Sequence, residues 1–119
     1  MFSIMKYKNT IHEGTVRVIL FKEDNTWYGV ALELNIVESG SRKNEVWTEL
    51  QEAIRGYIKS AKKANAPDYV LNQTPMKEYE RMWSATIKTK NTVNKTRKNK
   101  SIKSPFVSFA GAINLESAV

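Results

Sequence analysis

The 119-residue chain has no cysteine, which removes disulfides, thiolate metal sites and a cysteine nucleophile in one step. Such a composition is compatible with a reducing cytosol. Histidine is nearly absent as well. His12 stands alone in a polar entry segment, where a surface residue fits better than a ligand or base. Aspartate occurs only as Asp24, in a turn, and Asp68, in a loop. With Glu33 and Glu38 on or beside strands, these scattered carboxylates read as solvated surface rather than as a cluster able to hold a metal for hydrolysis. No catalytic, cofactor-binding or metal-binding residue is therefore assigned. Long hydrophobic runs are also missing. The Met1 to Met5 stretch is shorter than a signal h-region, and nothing approaches the ~18 apolar residues of a membrane span. The expectation is a cytoplasmic protein without a membrane contact.

Acidic residues are scarce in one part of the chain only. Residues 1–85 hold 12 Lys/Arg against 11 Asp/Glu, whereas residues 86–119 hold 7 against 1. The net charge of +7 thus belongs to the tail, and the rest is close to neutral. A hydrophobic fraction of 41% with three Trp is enough to offset chain entropy, so the chain is expected to fold around one core.

Thr15 to Phe21 is rich in β-branched residues and stops at the polar cluster Lys22-Glu23-Asp24-Asn25, which suits a hairpin. Thr26 to Leu32 resumes strand chemistry. A short third run, Ile36 to Ser39, closes at Gly40. Ser41 is a candidate N-cap for a helix in which Val46, Leu50, Ala53, Ile54, Tyr57, Ile58 and Ala61 fall on one stripe. Lys43, Glu45, Glu49, Glu52, Arg55, Lys59 and Lys62 occupy the other side. Asn65-Ala66-Pro67-Asp68 ends this helix, and Thr74-Pro75 opens a shorter one from Met76 to about Ala85, with Tyr79, Met82 and Trp83 on one face. Residues 88–104 then turn polar and basic, and Pro105 to Ile113 turns apolar again, as a short strand or a docking peptide.

The fold class expected is α+β: a three-stranded antiparallel meander packed on one long amphipathic helix, with a second short helix and a basic C-terminal extension. The corresponding division is 1–72 for the α+β domain, 73–87 for a short docking helix, and 88–119 for a basic flexible linker with an apolar end.

The run Ala31-Leu32-Glu33-Leu34-Asn35-Ile36-Val37-Glu38-Ser39-Gly40-Ser41, followed by Val46, Leu50, Glu52-Ala53-Ile54 and Tyr57, resembles the HicB-like antitoxin family. The resemblance covers about residues 15–63. That family shows a strand, a Glu-Leu pair, a short strand ending in Gly, a capped helix and an Ala-Ile-x-x-Tyr helix ending. Asn35-Ile36 and Ser41-Arg42 stand where many members carry Pro-Gly and Asp-Thr. The resemblance implies a partial ribonuclease-H-like fold, a non-catalytic role, and binding that occludes a HicA-like ribonuclease toxin. Residues 86–119 show no helix pair suited to an operator-binding module.

One helix covers only one face of a sheet, and both faces here are partly apolar. Alternation sets Val16, Val18 and Leu20 against Arg17, Ile19 and Phe21, and Tyr28, Val30 and Leu32 against Trp27, Gly29 and Ala31. The spare face is covered either by the second helix or the C-terminal strand, or by a second copy or a toxin. Ile19, Phe21 and Trp27 are the candidate partner-binding residues, and a homodimer or higher oligomer is expected. The alternative function is a nucleic-acid-binding regulator whose phosphate contacts are Lys88, Lys90, Lys95, Arg97, Lys98, Lys100 and Lys103. Residues 88–103 lack interleaved aromatics, so base stacking has no platform there. Removing residues 88–119 is expected to leave the meander and first helix folded. Replacing Ile54 with Asp is expected to unfold the domain by placing an unpaired charge in the helix–sheet core, and an unchanged thermal melt would take this helix out of the core.

Overall fold

The computed structural model describes residues 8–91 and 106–115. Its first strand, β1 (Thr15–Glu23), is buried without interruption from Val18 to Phe21. A strand apolar on both faces needs a cover on each side and a partner on each edge. Hydrogen bonding to β2 (Thr26–Ala31) fills one edge through a tight hairpin in which Glu23 opposes Thr26. Asp24 and Asn25 both take left-handed φ, 51° and 65°, the signature of the two-residue turn whose twist matches flanking strands. A 3-10 turn, Leu32–Leu34, then ends on left-handed Asn35 and leads into β3 (Ile36–Gly40), antiparallel to β2.

The other edge of β1 corrects the expectation of three strands. Phe106–Asn114 is a fourth strand, β4, antiparallel to β1 along nearly its whole length, and the sheet order is β3-β2-β1-β4. The apolar C-terminal segment thus completes the sheet. Its pairing with β1 slips between Leu20↔Phe109 and Phe21↔Val107, a bulge that leaves Ser108 as the extra residue.

Helix α1 (Lys43–Lys63) covers one face. Arg42, with extended backbone, occupies the N-cap without a side-chain hydrogen bond, so Ser41 does not cap the helix. The apolar stripe buries Val46, Leu50, Ile54, Ile58 and Ala61, and Leu50, Ile54 and Ile58 form one core with Val16, Val18 and Ala31, joined by Leu34, Leu71 and Leu115. Each large aliphatic side chain so buried contributes about 1.5–3 kcal/mol relative to exposure. Gly29 lets the helix approach: a Cβ there would lie 3.1 Å from Leu20 Cδ2 and Val46 Cγ1. The helix ends where Asn65 turns left-handed and Ala66 N–H donates to the Ala61 carbonyl at 2.9 Å, closing the last turn.

A 3-10 turn, Asp68–Leu71, leads on to α2 (Lys77–Asn91), which runs about a turn and a half past the Ala85 end expected from sequence. It places Tyr79, Met82 and Trp83 against Ile19, Phe21, Val30 and Leu32 on the second face. Before β1, buried Asn9 ties the entry segment to the second 3-10 turn. Asn9 N–H donates to Asn72 Oδ1 at 3.0 Å, and Asn72 Nδ2 donates back to the Asn9 carbonyl at 2.9 Å. No described helix is long and apolar enough to cross a membrane.

Because β4 pairs along β1, the apolar C-terminal segment takes the strand alternative and is part of the sheet. A chain ending after Asn91 is expected to lose cooperative thermal melting and to expose the β1 edge. Retention of the full-length melting midpoint by circular dichroism would show β4 to be dispensable.

Candidate functional site

The strand register separates the three residues that alternation grouped as a partner face. Ile19 and Phe21 pair with Val30 and Tyr28 and lie under α2, at 0% and 3% exposure. Trp27 pairs with Lys22 on the opposite, α1 face. The set therefore does not share a face, and its two strand-β1 members are core residues while α2 is docked. Of the candidate phosphate contacts, Lys88 and Lys90 fall within α2, and Lys95, Arg97, Lys98, Lys100 and Lys103 lie outside the described residues. His12 is exposed, and no three described His, Asp or Glu side chains group as a metal site.

Two arrangements carry chemistry. In the first, Arg17 projects from β1 toward α2 and meets two carboxylates. Its backbone N–H and Nε donate to Glu33, in the turn after β2, and its Nη1 and Nη2 donate to both oxygens of Glu80 on α2 at 3.1 and 2.7 Å. The guanidinium also lies 5.5 Å from the centre of the Trp83 ring. Planar Arg suits this bidentate and stacked role in a way Lys does not. The hydrogen bond from Arg17 holds the Glu80 carboxyl below the ordinary value of 4.5, outweighing desolvation. Bonding to Glu80, and then to Glu33, raises Arg17 further against the cost of burial. The sequence signal for this cluster was a lone charge in an apolar strand, which demands a partner.

The second arrangement is a groove between the start of α1 and the β1–β4 pair. It has a volume of about 250 Å³ and is lined by Leu20, Lys43, Asn44, Trp47, Ser108 and Phe109. Its walls are aromatic: the Trp47 and Phe109 rings meet edge to face, with centres 5.5 Å apart. Phe109 remains 41% exposed. Gly111 sets the position of that ring, because a Cβ on it would fall 2.5 Å from Phe109 Cζ. Lys43 at the rim also lies 5.5 Å from the centre of the Trp27 ring, and Lys22 lies 5.9 Å from it. Neither ammonium makes an ion pair with a described carboxylate. Sequence reading missed this groove because Trp47 falls beside the helix stripe and Phe109 reaches it only through long-range strand pairing.

The depressed Glu80 pKa fixes the sign of an acid effect. A carboxyl that ionises more readily when folded contributes stability above its unfolded pKa and loses it as pH falls through the folded one. Acidification below about pH 4.5 is therefore expected to loosen α2, read as a change in Trp fluorescence, and Glu80→Gln is expected to abolish that transition. An identical acid transition in the variant would remove Glu80 from the docking of α2.

Comparison with protein-family models, with curated proteins and with solved structures finds no match for this chain.

Proposed function

We propose that this chain is a HicB-like antitoxin or an orphan relative, a non-catalytic protein that binds and occludes a HicA-like ribonuclease toxin, acting as a homodimer. The observation that carries this reading is the clustering of its signature residues. The residues on which the resemblance rests fall in one contiguous unit of β2, the 3-10 turn, β3 and α1. Glu33-Leu34 forms the tight turn, Gly40 ends β3, Ile54 is buried, and the Tyr57 hydroxyl donates to the Val70 carbonyl at 2.9 Å.

Charge also favours a basic partner at the outer side of α1. Glu49 and Glu52 are exposed neighbours at i,i+3 spacing on the first half of the helix, next to Glu45, which pairs with Arg42 at 3.7 Å. Glu49 and Glu52 steer a basic ribonuclease toward the chain, and burial of the toxin surface then blocks its RNA. The fold supplies rigidity at this surface, because the opposite side of α1 is locked into the sheet.

The chain is expected to form a stable complex with a HicA-like ribonuclease encoded beside it and to stop RNA cleavage at equimolar ratio. Charge reversal at Glu49 and Glu52 should slow association, by about tenfold at low salt. Unchanged RNA cleavage and no complex by gel filtration would sink this function.

A further inference from the structure

The groove between α1 and β4 brings together what no single element holds. Trp47 from α1 and Phe109 from β4 line it with Lys43 at the rim, and beside it Lys43 and Lys22 both approach the Trp27 ring of β2, neither lysine having a carboxylate partner among the described residues. Aromatic faces beside unpaired cations are the elements of single-strand recognition: bases stack on rings and phosphates follow the charge.

We propose that this groove binds single-stranded nucleic acid, with one base seated against Trp47 and Phe109 and the adjoining phosphates on Lys43 and Lys22. The apolar floor at Leu20 suits a flat ring, and Asn44 and Ser108 place hydrogen-bonding groups at the base edge. The volume of about 250 Å³ admits a base but not a paired stack, so a duplex must open to use it. Charge selects the class of ligand. The segment carrying Lys95, Arg97, Lys98, Lys100 and Lys103 joins β4 at Phe106, which pairs with Lys22 at this same corner. A polyanion is therefore favoured over a single acidic side chain. The groove itself is complete without that segment, and it supplies the stacking surface that the segment's own sequence lacks.

Two backbone details look built for this seat. The bulge at Ser108 shifts the register immediately beside Phe109, and bulges re-aim side chains in this way. The absence of a side chain at Gly111 leaves room for the Phe109 ring, which a Cβ there would meet at 2.5 Å, to lie against Trp47. The proposal is independent of toxin occlusion, which uses the outer face of α1.

The test titrates the full chain into a fluorescently labelled oligouridylate of about 12 nucleotides, read by anisotropy at about 50 and 200 mM salt. Binding with quenching of Trp emission is expected. Phe109→Ala and Gly111→Ala should each weaken it about tenfold, the loss of one stacked base. Lys22→Gln with Lys43→Gln should weaken it and flatten its salt dependence by about two phosphate contacts. Gly111→Ala moves only the far end of the Phe109 side chain, and the two lysines are exposed, so these variants carry the test if Phe109→Ala does not fold. Equal binding by the parent, Gly111→Ala and the lysine variant would overturn the proposal and assign any affinity to the basic segment. So would equal affinity for a duplex of the same length, equal displacement by polyglutamate, or no binding at low salt.

Discussion

The structure depends on β1 being apolar on both of its faces. Val16, Val18 and Leu20 face one way and Ile19 and Phe21 the other, and all five are buried. A strand of this kind cannot sit at a sheet edge or under one helix without leaving apolar surface in water. Its demands explain the rest of the architecture. The hairpin supplies β2 on one side, the chain returns from its far end to supply β4 on the other, and two helices cover the two faces.

The helices meet these demands differently. α1 is held by a continuous apolar stripe and by close approach at Gly29, so its docking is governed by packing. Among the described residues α2 brings Tyr79, Met82 and Trp83 to its face, and Arg17 supplements them by clasping Glu80 and lying near the Trp83 ring. Electrostatic clasps of this exposure are modest in energy and sensitive to protonation and salt. The second face is accordingly the more readily loosened of the two.

The groove follows from the same geometry. α1 approaches β2 closely where Gly29 removes the side chain that would hold it off, and near its start Trp47 meets Phe109 of β4. The sheet beneath Phe109 is left partly uncovered at the corner where β4 begins. Lys22 and Lys43 stand at this corner without a carboxylate partner among the described residues, while the outer side of α1 carries both signs of charge.

Local order was legible in the sequence because it rests on neighbouring residues. Alternation and β-branching marked β1 and β2, and the 3.6-residue stripe marked α1 from Val46 to Ala61. Tertiary structure alone decided the pairing of β4 with β1, the face of Trp27, the ring of Phe109 over Gly111 and the choice of Glu33 and Glu80 as Arg17's partners. The physical reason is separation along the chain. Periodicity records which side of an element is apolar, whereas register, edge partner and side-chain convergence are set only when distant segments compete to cover the same strand.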